Sequence, residues 1–159
     1  MVRNLKIAGL IVIGVAAGAI VVWRLQPDRR SDSRQILDSL VAVQGAVEEK
    51  SVGGVMQHVS EAYQDSTCEN KRALIRLAQS GFYEKGTIHC QLQVGRPDIR
   101  GRTATVDVNV DFSLDRNGQV SAVKPFVVHT DWVRERKGWK IIRAEGYMEA
   151  EAAYGEGGL

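Results

Sequence analysis

The apolar positions of this chain change their spacing along its length, and each change marks a boundary. Ile7 to Trp23 runs 17 residues without a charge. At ~1.5 Å of helical rise per residue that spans ~25 Å, the short end of a membrane-crossing length. From Ile36 the spacing becomes that of an amphipathic helix: Ile36, Leu40, Val43 and Val47 fall 4, 3 and 4 apart, with Ser33 read as the N-cap. A break at Glu49-Lys50-Ser51 precedes a second, short helix. Val52, Val55, Met56 and Val59 lie on one side of it, and Gly53 and Gly54 weaken it locally. "STCE" has the form of a capping box, Ser66 with Glu69. It opens a third helix that runs to about Ser80 with Leu74, Leu77 and Ala78 inward, and Gly81 stops it.

From residue 86 the period drops to two. Ile88, Cys90, Leu92 and Val94 alternate with Thr87, His89, Gln91 and Gln93. Ala104, Val106, Val108, Val110, Phe112 and Leu114 alternate with Thr105, Asp107, Asn109, Asp111 and Ser113, so one face meets a core and the other meets water. Asn117-Gly118 suits a tight hairpin turn. A third strand is read from Val120 to Arg136, with Pro125 at a bulge or an unpaired edge. Lys137-Gly138 makes a second turn, and the last strand covers Trp139 to Tyr147. The 13 residues from Arg102 to Leu114 span ~43 Å at ~3.3 Å each, so the sheet must twist and curl, with helices on its concave side.

The expected class is therefore α+β: an N-terminal transmembrane helix, then three helices packed on a curved, four-stranded antiparallel sheet. The organisation reads as an anchor at 1–24, a polar linker at 25–33, a folded domain at 34–148 and a small-residue, acidic, flexible tail at 149–159.

Charge sharpens the picture of the N-terminus. Arg3 and Lys6 precede the apolar run, and Trp23 and Arg24 close it as an interfacial aromatic and a snorkelling cation. An uncleaved anchor is the leading reading, with membrane contact through residues 7–23. A signal peptide cleaved at Ala17-Gly18-Ala19 and a soluble helix are the alternatives. Basic residues are nearly balanced across the run, and the following domain is expected on the extracytoplasmic (periplasmic) side. Gly14 and Gly18 form a close-packing G-x-x-x-G pair that membrane spans also carry by chance. The whole chain has net charge +2 and pI about 8.6. Residues 31–159 hold 16 basic and 18 acidic residues, with no basic cluster interleaved with aromatics, so nucleic acid is not an expected partner.

Two stretches, "VMQHVSEAYQDS" and "WVRERKGWKIIRAEGY", resemble the second helix and the last hairpin of the nuclear transport factor 2-like superfamily. The resemblance covers roughly residues 33–148 and implies a cone-shaped, cystatin-like fold. That superfamily holds isomerases, dehydratases, cyclases, small-molecule binders and non-catalytic assembly domains. An anchor followed by this fold is similar to the membrane-anchored assembly subunits of bacterial secretion and transport machines.

Several side chains carry candidate chemistry. His129 and Asp131 share one face of a strand, a weak acid–base pair if that face lines the cone and a cross-strand surface pair if it does not. Tyr63 and Asp65 are implied near the cone mouth, as polar ligand contacts or as a packed ring and a turn cap. Val108, Val110, Phe126, Val128, Trp132 and Tyr147, with Tyr63, are the expected wall of a small-ligand cavity. Trp132 and Trp139 read as core before ligand platform. His58, His89 and His129 lack metal-ligand spacing, so no metal and no cofactor is expected. Cys68 and Cys90 read as two buried thiols or as one disulfide. The stripe Asp107, Asn109, Asp111 and Ser113 is either a solvated face or half of a sheet-to-sheet homodimer. Taken together, the expectation is a membrane-tethered, non-catalytic binding or assembly domain of the cell envelope with envelope proteins as partners. A binder of a small apolar ligand in the cone, or an isomerase- or dehydratase-like enzyme, stands as the alternative.

Overall fold

A computed structural model of the chain describes residues 31–122 and 124–146. The segment read as an anchor at 7–23, the linker up to residue 30, Tyr147 and the tail at 149–159 lie outside these residues. Among the described residues, no helix is long and apolar enough to cross a membrane.

Among the described residues three helices come first: α1 (Asp32–Glu48), α2 (Val52–Met56) and α3 (Lys71–Phe82). Ser31, not Ser33, caps α1: its Oγ accepts the Arg34 N–H at 3.3 Å. The earlier start puts Asp32 in the first turn, where a carboxylate suits the helix dipole. That carboxylate also binds the last hairpin, accepting from Trp139 Nε1 at 3.1 Å and from Arg134 Nη1 at 2.9 Å. Lys50, at φ 54°, breaks the chain between α1 and α2.

The expected capping box does not form. Asn70 caps α3, accepting from the Ala73 N–H at 3.0 Å. Ser66 is held elsewhere, since its N–H and hydroxyl both donate to Glu145. Asp65 accepts from Thr67 N and Cys68 N and so fixes the turn before the helix. Gly81 is helical, and α3 continues to Phe82.

Among the described residues the sheet has six strands where four were expected: β1 (Thr87–Val94), β2 (Asp98–Arg100), β3 (Thr103–Arg116), β4 (Gln119–Ala122), β5 (Phe126–Glu135) and β6 (Gly138–Glu145). The four expected strands are its main path, β1-β3-β5-β6, all antiparallel. The two additions are short pieces that pair with β3. The expected third strand is cut near Pro125, which has no N–H to give to a ladder. Pro97 stands in the same relation to β1 and β2. The second turn also falls one residue early, with Glu135 paired to Gly138 across Arg136-Lys137.

The larger of two core clusters holds Trp132, at 0% exposed, with Ile36, Leu40, Val106, Trp139 and Ile141, and the smaller holds Ile88, Cys90 and Leu114. These residues all belong to the compact unit Ser31–Leu159, so that unit carries its own core. The outer edge strand, β6, is covered: Ser60 N donates to Ile141 O, and Gln64 N to Ile142 O.

Candidate functional site

The concave side of the sheet does not close completely against the helices. Between them lies a cavity of about 330 Å³, at the small end of ligand-binding pockets. The strand alternation determines which side chains reach it. Val108, Val110 and Phe112 come from β3, Phe126, Val128 and Thr130 from β5, and Cys90 and Leu92 from β1. Leu40, Val43, Gln44 and Val47 of α1 form the opposite wall, with Val55, Val59, Tyr63 and Leu74 beside them. Ile141 and Ala144 of β6 complete it.

The chemistry of this wall is plain. Among the described residues it contains no Asp, Glu, His, Lys or Arg. The Thr130 hydroxyl donates to Val106 O at 2.8 Å and accepts from Trp132 Nε1 at 2.9 Å. The Tyr63 hydroxyl donates to Asp65 Oδ2. Burial, with help from the Glu48 and Asp111 carboxylates, pushes the Cys90 thiol up to about 11, so it is a neutral S–H at ordinary pH.

Of the residues expected to form the wall, Tyr63, Val108, Val110, Phe126 and Val128 meet in the cavity. Trp132 lies in the core, its indole N–H bonded to Thr130 rather than facing the open space. Tyr147 is outside the described residues. His129 and Asp131 do share a face, but it is the outer one. His129 is about two-thirds exposed, and its Nδ1 lies 2.7 Å from Asp107 Oδ1 on β3. Asp131 stands opposite Thr105. Among the described residues, no three His, Cys, Asp or Glu side chains come together as metal ligands. Cys68 and Cys90 are separate buried thiols.

Sequence reasoning missed the helical half of the wall. The stripe on α1 was legible, but its apolar residues gave no sign that they would face a space rather than the sheet. One signal was available: Gln44 interrupts that stripe, four residues from Leu40 and three from Val47.

Helices packed on a curved four-strand meander are found in solved structures. A proposed dehydratase of the nuclear transport factor 2-like family from Streptomyces avermitilis matches with a TM-score of 0.65 at 16% identity, over 76% of this chain and 97% of that one. A nuclear transport factor 2-like superfamily protein from Salmonella enterica matches with 0.62 at 12%, over 72% and 89%. A cystatin-like-fold domain of unknown function from Nostoc punctiforme matches with 0.63 at 17%, over 72% and 75%. The chain has the nuclear transport factor 2-like fold. Identities this low carry the fold and nothing finer. No family model and no curated protein matches the sequence.

Proposed function

We propose that this nuclear transport factor 2-like chain is a non-catalytic binding domain, tethered to a membrane through residues 7–23, whose cavity takes a small apolar molecule. The observation that carries the reading is the cavity wall: about 330 Å³ lined mainly by aliphatic and aromatic side chains and, among the described residues, by no charged group. Apolar surface in such a space gains from losing water. Dehydratase-type chemistry, named for the Streptomyces neighbour, needs an acid–base group against the occupant. The expected pair, His129 and Asp131, faces away from the cavity. Among the described residues the ionisable groups on the wall are the Cys90 thiol, raised to about 11, and Tyr63, whose hydroxyl donates a hydrogen bond to Asp65. The tether rests on the charge-free run alone, and alkaline extraction that released the full chain from membranes would remove it from the reading.

Native mass spectrometry of residues 31–159, purified from the chain's own host cells, tests the cavity. The expected spectrum shows a retained small-molecule mass that is lost on mild activation. A spectrum without an adduct, and with none gained from a panel of apolar metabolites, overturns the reading.

A further inference from the structure

The cavity is graded along its length. One end is set by Leu40, Val59, Tyr63, Val108 and Ile141, all of them buried. Val47, Phe112 and Phe126 also line it, and they are only half-buried. These three stand together at the other end. Glu48, beside Val47, accepts the Cys90 N–H at 3.0 Å, Cys90 pairs with Phe112, and Phe126 pairs with Val110. The space therefore runs from a closed end to a mouth. Along β3 the inward positions from Val108 to Phe112 cover about 13 Å, at ~3.3 Å per residue. Among the described residues, no polar atom contributes to the surface of this space. Thr130 and Tyr63 line it with carbon and turn their hydroxyls to Val106 and Asp65.

We propose that the occupant is one unbranched hydrocarbon chain, which enters tail-first and leaves its head group at the mouth. This rests on the reading of the cavity as a binding site. The size follows from about 330 Å³ at roughly 30 Å³ per heavy atom, a water's share of liquid volume, which gives about eleven carbons. The shape follows from the run between the two ends: that many carbons, zigzagging at ~1.5 Å per bond, extend about as far as the inward stretch of β3. The orientation follows from the surface. A polar head carried to the closed end would lose its water and find no partner there, whereas at the mouth it stays hydrated. Affinity then comes from the methylenes, and the closed end limits how many of them count. Free alkyl acids and the acyl chains of lipids share this chemistry.

The test is a calorimetric titration of residues 31–159 at pH 7.5 with sodium alkanoates of increasing chain length. Wild-type affinity is expected to rise about fourfold per methylene and to level off near about eleven carbons, where the closed end is reached. Ala144 lies opposite Thr130 and lines the cavity. Ala144→Leu fills part of the space and should bring the break about two to three carbons shorter, with the slope below it unchanged. Ala144→Val, whose branched side chain suits a strand, should move it less, and it decides if the Leu variant does not fold. Adamantane-1-carboxylate, with the carbon count of undecanoate in a compact cage, should bind more weakly than undecanoate. A parallel titration with 1-decanoyl-lysophosphatidylcholine separates the sources. Binding as tight as that of decanoate or tighter assigns the chain to a lipid, and weaker binding assigns it to a free acid. Affinity that climbs without a break, a break indifferent to both substitutions, or a cage bound more tightly than the chain overturns the single-chain assignment and leaves the cavity reading standing. Failure of every protein to bind any of these probes overturns the cavity reading itself.

Discussion

Trp132 and His129 lie three residues apart on β5 and face opposite sides of the sheet. Trp132 is 0% exposed with its indole N–H satisfied. His129 makes an exposed cross-strand pair with Asp107, the kind of surface contact worth about 0–1 kcal/mol. Urea denaturation of the two alanine variants should therefore separate sharply. Trp132→Ala should lose about 3–5 kcal/mol, a large aromatic removed from a packed core. His129→Ala should stay within about 0.5 kcal/mol of wild type, as surface substitutions do. At this scale the sequence was readable where alternation decided the outcome. Val108 and Val110 could be assigned to the inner face because their neighbours, Asp107, Asn109 and Asp111, are polar. β5 was harder, because Val127 and Val133 put apolar residues on its outer face as well. The partners of polar caps were also hidden, since Ser66 is bound by Glu145, 79 residues away in sequence.

β3 is the element on which the sheet is built. On one edge it meets β1 and β2, and on the other β5 and β4. Breaks near prolines lie on both sides of it: Pro97 between β1 and β2, and Pro125 between β4 and β5, the latter marked in the sequence as a bulge or unpaired edge inside a strand read straight through from Val120 to Arg136. Glycines at element ends show how local geometry decides the sign of one chemical change. Gly146 closes β6 at φ +102°, and a Cβ there would stand 2.3 Å from Val127 O. Gly45 sits inside α1 with nothing near its Cβ position. Gly146→Ala should cost about 1–3 kcal/mol through backbone strain, and Gly45→Ala should gain about 0.5–1 kcal/mol through helix propensity. Both are read from urea midpoints at constant m-value.

For the molecule as a whole, the class and the main sheet order were legible, because length, period and turn residues all agreed. The cavity was not, since it depends on how far the helices stand off the sheet, which no periodicity records. Stability of the whole should also depend on pH in two windows. Burial, and then the Lys140 charge, hold the His58 pKa below its ordinary 6.5. The unfolded chain then takes up the proton first, so stability is full above that value and falls as pH drops towards the folded pKa. Glu145, whose pKa is lowered first by its hydrogen bond from the Ser66 hydroxyl, keeps its contribution above the ordinary 4.5 and loses it below. Denaturation midpoints between pH 5 and 7.5 should decline on the acid side in the wild type. His58→Gln should flatten that decline, and an unchanged slope would show that His58 does not cause it.

The Cys90 thiol has a consequence for what the cavity can safely contain. With its pKa near 11, only about one such group in ten thousand is a thiolate at pH 7, and the thiolate is the form that attacks carbon. An occupant bearing an unsaturated ketone or an aldehyde would therefore rest against sulfur without being captured by it. At neutral pH the Cys90 thiol is thus a weaker nucleophile towards such groups than an unperturbed thiol, whose thiolate fraction is far larger.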